Sequence, residues 1–93
     1  MIKKVAILGS TGSIGKSLLN IISRDKKNFQ IHLLTADKNY KLLIIQAKKY
    51  KVKNLIITNK KSFDILKDKL KTNKSINIFN NYNCFNKVFR RKI

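Results

Sequence analysis

The 93-residue sequence predicts an α/β fold: a parallel sheet of about four strands, flanked by helices and left incomplete as a sheet. Three observations predict it. Segments of strand-like and helix-like periodicity alternate along the whole chain, the signature of βαβ units. The first apolar run ends in a glycine turn that leads directly into a helical pattern. No proline, repeat or linker interrupts the alternation, so residues 1–79 read as one domain and 80–93 as a polar, basic tail.

Lys4-Val5-Ala6-Ile7-Leu8 is a continuous apolar run, as suits a strand buried on both faces of a parallel sheet. From Ser13 the period changes. Ile14, Leu18, Leu19, Ile21 and Ile22 recur at helical spacing to about Ser23, and Arg24 to Asn28 form a polar break. Gln30 to Thr35 is the second strand, with His32 as a core or face residue. Asn39 is positioned to cap a second helix that runs to about Tyr50, with Leu42, Leu43, Ile45 and Ala47 on its apolar side. Asn54 to Thr58 is the third strand. Phe63, Leu66 and Leu70 mark one face of a third helix, and Ser75 to Phe79 is a weaker fourth strand. Right-handed crossovers place the helices on the sheet faces. An open sheet that ends after four strands leaves an edge and an uncovered face. In the tail, Cys84, Phe85, Val88 and Phe89 fall on one side of a short amphipathic helix.

Gly9, Gly12 and Gly15 are spaced three apart between a strand and a helix. A helix N-terminus offers unpaired backbone N–H groups and the positive end of the helix dipole, both attractive to a pyrophosphate. Glycines allow the tight turn and the close approach of a phosphate, the pattern of Rossmann-like dinucleotide-binding domains. Thr11 and Ser13 can add hydroxyl hydrogen bonds, and Gly15 lets the helix approach the first strand. Gly15-Lys16-Ser17 also resembles the end of a nucleoside-triphosphate phosphate loop. That loop requires a glycine separated from the Gly-Lys pair by four residues, and here that position is Ser10. Lys16 therefore reads as a solvated residue of the first helical turn.

The second strand ends at Thr35-Ala36-Asp37-Lys38-Asn39, where a Rossmann-like sheet meets the adenosine ribose. An acid there accepts from the 2′-hydroxyl and favours NAD, while a base favours a 2′-phosphate and NADP. Asp37 and Lys38 point in opposite directions. A carboxylate about 5 Å from a phosphate charge costs roughly 3 kcal/mol at an effective dielectric near 20, enough to reverse a preference unless Asp37 turns away or Lys38 and Lys41 offset it. Asp37 reads equally well as a turn or helix-start residue.

The chain carries 22 lysines and arginines against four acids, Asp25, Asp37, Asp64 and Asp68, for a formal net charge of +18. Such a balance predicts weak, salt-sensitive binding to any polyanion. It does not single out a nucleic-acid protein. Lys, Asn and Ile, the residues of AT-rich codons, make up nearly half the chain, only three residues are arginine, and the lysines are spread over every segment. The exposed aromatic and arginine pattern of RNA-recognition sheets is missing. One cysteine excludes an internal disulfide and a cysteine-rich zinc site. No apolar run approaches the roughly 18–20 residues of a membrane span, and a strand pattern that begins at Ile2 leaves no room for a leader. A cytoplasmic protein without a membrane or specific nucleic-acid partner is expected.

The string Lys4-Val5-Ala6-Ile7-Leu8-Gly9-Ser10-Thr11-Gly12-Ser13-Ile14-Gly15 closely resembles the start of the 1-deoxy-D-xylulose 5-phosphate reductoisomerases. The resemblance runs through Leu34-Thr35-Ala36-Asp37-Lys38-Asn39, holds in outline to about Leu70 and then fades. It implies an NADPH-dependent oxidoreductase and isomerase of isoprenoid precursor synthesis, the methylerythritol phosphate pathway, acting on a sugar phosphate with Mg2+ or Mn2+. By position, Thr11, Gly12, Ser13 and Ile14 would contact the cofactor phosphates, and Lys38 and Asn39 would lie near the 2′-phosphate. At Asp37 the family commonly carries glycine, which leaves NADPH against NADH open. Family members are several times as long, and are homodimers. Their metal carboxylates and substrate-phosphate site lie beyond the matched region, and the sequence has no Glu and no catalytic constellation of its own. The resemblance therefore implies the N-terminal cofactor-binding portion of such an enzyme, truncated before its catalytic domain and inactive alone. Two other readings stand beside it: a decayed fragment without function, and a small basic nucleic-acid-binding protein.

Overall fold

The computed structural model describes residues 2–84. The chain runs β1 (Lys3–Ile7), α1 (Ser13–Ser23), β2 (Phe29–Ala36), α2 (Tyr40–Tyr50), β3 (Asn54–Ile57), α3 (Lys60–Lys69) and β4 (Asn77–Phe79), followed by a 3-10 turn at Tyr82–Cys84. The four strands form one parallel sheet in the order β1-β2-β3-β4, as the alternating pattern predicts. The expected tail helix through Phe85, Val88 and Phe89 lies outside the described residues.

Each strand follows its predecessor on the same side, and crossovers of one hand then place every helix on one face. The main core shows this. Leu19 of α1, Leu43 and Ala47 of α2, and Leu66 of α3 pack together against Ile7, Leu34, Leu55 and Ile57 of the sheet. The opposite face holds a smaller cluster, Leu33 and Ile56 with Ala6 and Phe79, to which no helix among the described residues contributes. Burying a leucine or isoleucine fully is worth about 1.5–3 kcal/mol, so the helix-covered face carries most of the hydrophobic stabilisation.

Other expectations shift with position in the sheet. The first strand was expected to be buried on both sides, but β1 is an edge of the sheet. Lys3 and Lys4 are exposed on it, and Leu8 falls beyond its end with 58% of its surface exposed. In α1 only Gly15 and Leu19 are buried. Ile14 (79% exposed), Leu18 and Ile21 form an outward apolar stripe at i, i+4 and i+7. In α2 the inward side is Leu43, Gln46 and Ala47, and Ile45 faces solvent. The β1–β2 register slips by one between Val5 and Ala6, so that His32 of β2 is the additional residue in the ladder.

The helix ends follow their capping chemistry. Asn39 caps α2 by accepting from Leu42 N at 3.1 Å, and Asn59 caps α3 by accepting from Ser62 N at 3.0 Å. The α2 C-terminus closes on Lys51 in the left-handed conformation (φ 57°), and Val52 N donates to Ala47 O at 2.9 Å.

Candidate cofactor-binding site

The glycine turn sits where the carboxyl ends of β1 and β2 meet the start of α1. Gly9 has φ +65°, the left-handed conformation that a side chain resists, and this bends the chain off β1. Gly12 N then donates to Gly9 O at 3.0 Å, and Lys16 N to Gly12 O at 2.9 Å, which starts α1. Gly15 is the tightest position. A Cβ there would stand 2.0 Å from Gly9 O and 2.8 Å from Ser10 Cα. Gly15 therefore allows α1 to lie against Gly9 and Ser10 of the turn, just beyond β1, whereas the sequence places the close approach at β1 itself.

The opening of α1 has no side-chain cap: its N-cap is Gly12, which has no side chain to accept from the first-turn N–H groups. Ser13 and Ile14 are exposed, Thr11 is half-buried, and no hydrogen bond among the described residues engages the Thr11 or Ser13 hydroxyl. These N–H groups and hydroxyls present donors and a partial positive charge to an incoming anion. Lys16 is exposed on the same first turn, as its reading as a solvated residue required.

A polar network holds the turn from behind. Ser10 is fully buried, and its hydroxyl donates to Gln46 Oε1 at 2.7 Å while Gln46 Nε2 donates back to Ser10 O at 2.9 Å. Thr35 accepts twice from the turn, from Gly9 N at its hydroxyl (2.9 Å) and from Ser10 N at its carbonyl (2.9 Å). Tyr82 donates to the same Thr35 hydroxyl at 3.1 Å. Sequence reasoning missed these residues as site residues. The legible sign was Gln46, a polar residue one helical turn after Leu43 on the side of α2 that faces the core. Its partner in the turn, 36 residues earlier, was not legible.

The second cluster lies at the end of β2. Asp37, Lys38 and Asn39 are all exposed. The Asp37 carboxylate is engaged: its Oδ1 accepts from the Thr58 hydroxyl at 2.6 Å, and Asn59 N donates to Asp37 O at 3.0 Å. Asn39 is committed to the α2 cap through its Oδ1. The ion pairs among the described residues are Lys60–Asp64 and Lys71–Asp68, neither of which involves Asp37 or Lys38. No three His, Cys, Asp or Glu side chains among the described residues come together as metal ligands. The described helices include none long and apolar enough to cross a membrane.

A parallel strand-turn-helix unit with a glycine-lined helix start, and the end of the neighbouring strand beside it, defines a Rossmann-like α/β domain. The family model of 1-deoxy-D-xylulose 5-phosphate reductoisomerase matches residues 5–92, and the chain belongs to that family. It is 55% identical over 87 residues to the reductoisomerase of Pelagibacter ubique, covering 94% of this chain and 22% of that protein. It is 43% identical over 70 residues to that of Porphyromonas gingivalis, covering 75% of this chain and 18% of the relative. The fold superposes on the Zymomonas mobilis reductoisomerase solved in complex with NADPH, with a TM-score of 0.79 and 31% identity, over 95% of this chain and 23% of that one. A reductoisomerase solved with NADPH, fosmidomycin and magnesium matches at TM-score 0.75 and 28% identity, over 84% of this chain and 19% of that one. The chain thus spans about a fifth of the length of these relatives.

Proposed function

We propose that this chain is the NADPH-binding N-terminal portion of a 1-deoxy-D-xylulose 5-phosphate reductoisomerase, with residues 1–79 as the cofactor-binding unit and 80–93 as its tail. The observation that carries the reading is the start of α1. Its N-terminus has no side-chain cap, Gly15 brings it against the turn, and Ser10, Thr35 and Gln46 fix the turn from the interior side. A dinucleotide fits this cradle. Gly9, Thr11, Gly12, Ser13, Ile14 and Gly15 would hold the pyrophosphate through backbone N–H groups and hydroxyls. Lys38 and Asn39 would meet the 2′-phosphate of the adenosine ribose, with Asp37 beside them at the end of β2. The bound nicotinamide would supply hydride. The residues of this chain bind and orient the cofactor.

A divalent metal does not fit the described residues, since no cluster of three potential ligands is present among them. Metal binding, recognition of the sugar phosphate and the chemical steps belong, on this reading, to regions that the relatives have beyond the matched fifth. The chain alone is then inactive, and the complete enzyme is a cytoplasmic homodimer of the methylerythritol phosphate pathway.

Titration with NADPH and separately NADH tests the reading, with nicotinamide fluorescence or calorimetry as the readout. About 0.2 M salt suppresses the non-specific attraction that a strongly cationic chain has for any polyanion. Saturable binding with NADPH preferred is the expected result. Failure of both nucleotides to bind would overturn the cofactor site, and turnover of NADPH by this chain alone would overturn the division of labour.

A further inference from the structure

Asp37 occupies the position at which a Rossmann-like domain usually selects against a 2′-phosphate. Its carboxylate is held by Thr58, one strand further along the sheet, at 2.6 Å. Both partners are fixed at the backbone. Thr58 N donates to Ala36 O at 3.1 Å, and Asn59 N donates to Asp37 O at 3.0 Å. From the other side, Asn80 Nδ2 donates to Thr58 O at 3.2 Å and to Ile57 O at 3.0 Å. The hydroxyl of Thr58 is therefore presented by a strand end tied on both sides, and a short O–H···O⁻ bond is among the stronger hydrogen bonds. The next two residues, Lys38 and Asn39, remain at the β2–α2 junction as a cation and an amide.

The geometry points to Thr58 as the residue that decides cofactor preference here: its hydroxyl keeps the Asp37 carboxylate at the β3 side, so that Lys38 and Asn39 meet a 2′-phosphate without an opposing charge. Thr58 touches no cofactor in this arrangement and is a positioning residue. The inference rests on the cofactor site proposed above and goes further by naming what overrides its one adverse charge. Coulomb repulsion sets the size of the effect. Bringing a carboxylate from about 8 Å to about 5 Å from a phosphate charge lowers affinity by about tenfold at an effective dielectric near 20.

The test is the ratio of NADPH to NADH affinity, measured by titration at about 0.2 M salt, in the wild type, Thr58→Val, Thr58→Ser, Asp37→Asn and the Asp37→Asn/Thr58→Val double variant. Thr58→Val keeps the β-branched shape at an exposed position, and circular dichroism checks that each variant is folded. Thr58→Val is expected to lower NADPH affinity about tenfold with NADH unchanged or improved, and Thr58→Ser to restore the wild-type ratio. Asp37→Asn is expected to change the ratio little while Thr58 is present and to abolish the effect of Thr58→Val. An unchanged ratio in Thr58→Val, an equal loss for both nucleotides, or a Thr58→Val effect that persists with Asn at 37 would overturn the assignment. A large NADPH gain from Asp37→Asn with Thr58 intact would overturn it without reliance on the valine variant. A wild type that binds neither nucleotide sinks the cofactor site and this inference together. A wild type that binds NADPH while Thr58→Val leaves the ratio alone sinks this inference only.

Discussion

Replacing Gln46 with leucine removes the side chain that clasps the glycine turn from within and keeps its volume nearly constant. Gln46 is 6% exposed and makes two bonds with Ser10. The two halves of that clasp do not respond equally. The Ser10 hydroxyl has a second acceptor in Thr35 O, at 3.4 Å, and can shift its hydrogen bond there. The Ser10 carbonyl has no other partner among the described residues and is left unsatisfied, which costs about 1–3 kcal/mol. We expect a loss of about 2 kcal/mol, on the order of 10 °C in Tm for a domain of this size. The chain has three tyrosines and no tryptophan, so circular dichroism in urea is the suitable probe. Ser10→Ala alone leaves Gln46 Oε1 without its donor. The double variant Ser10→Ala/Gln46→Leu should therefore lose less than the two single losses added, by about 1 kcal/mol. A Gln46→Leu variant within about 0.5 kcal/mol of the wild type, or strict additivity in the cycle, would refute the view that this pair holds the turn.

Further outcomes follow from the same geometry at three positions. Gly15→Ala drives a Cβ into Gly9 O at 2.0 Å; overpacking costs about 1–3 kcal/mol or more, and both a fall in urea midpoint and loss of NADPH binding are expected. Lys51→Gly should stabilise the chain by about 0.5–1 kcal/mol, because Lys51 holds φ 57° at the end of α2 and glycine adopts that conformation without a Cβ penalty; a lower Tm would contradict it. Asn39→Ala should cost about 1 kcal/mol through loss of the α2 cap. Asn39→Asp keeps the cap and the stability, yet should weaken NADPH by placing a carboxylate near its 2′-phosphate. Equal NADPH affinity in Asn39→Asp and wild type would remove Asn39 from the cofactor site.

Much of the fold was legible because its signals are local. The switch from apolar run to helical period at Gly9–Gly15, and the cap at Asn39, depend on neighbours within a few residues, and the structure reproduces both. The misreadings concern burial. Ile14, Leu18 and Ile21 satisfy helical spacing as well as Leu19 does, but spacing alone does not say which stripe meets the sheet. Similarly, Val5-Ala6-Ile7-Leu8 reads as a doubly buried strand, and only the strand order reveals that β1 is an edge.

For the candidate site, the residue types and spacing of the glycine turn were determined by the sequence alone, since the need for glycine arises within the turn's own backbone. So was the conflict between Asp37 and Lys38, which are adjacent. The tertiary structure decided how each is held. Ser10 and Gln46 are 36 positions apart, and Asp37 and Thr58 are 21 apart. Such pairs exist only once parallel strands have brought their carboxyl ends together, because a side-chain hydrogen bond reaches about 3 Å in space irrespective of separation along the chain.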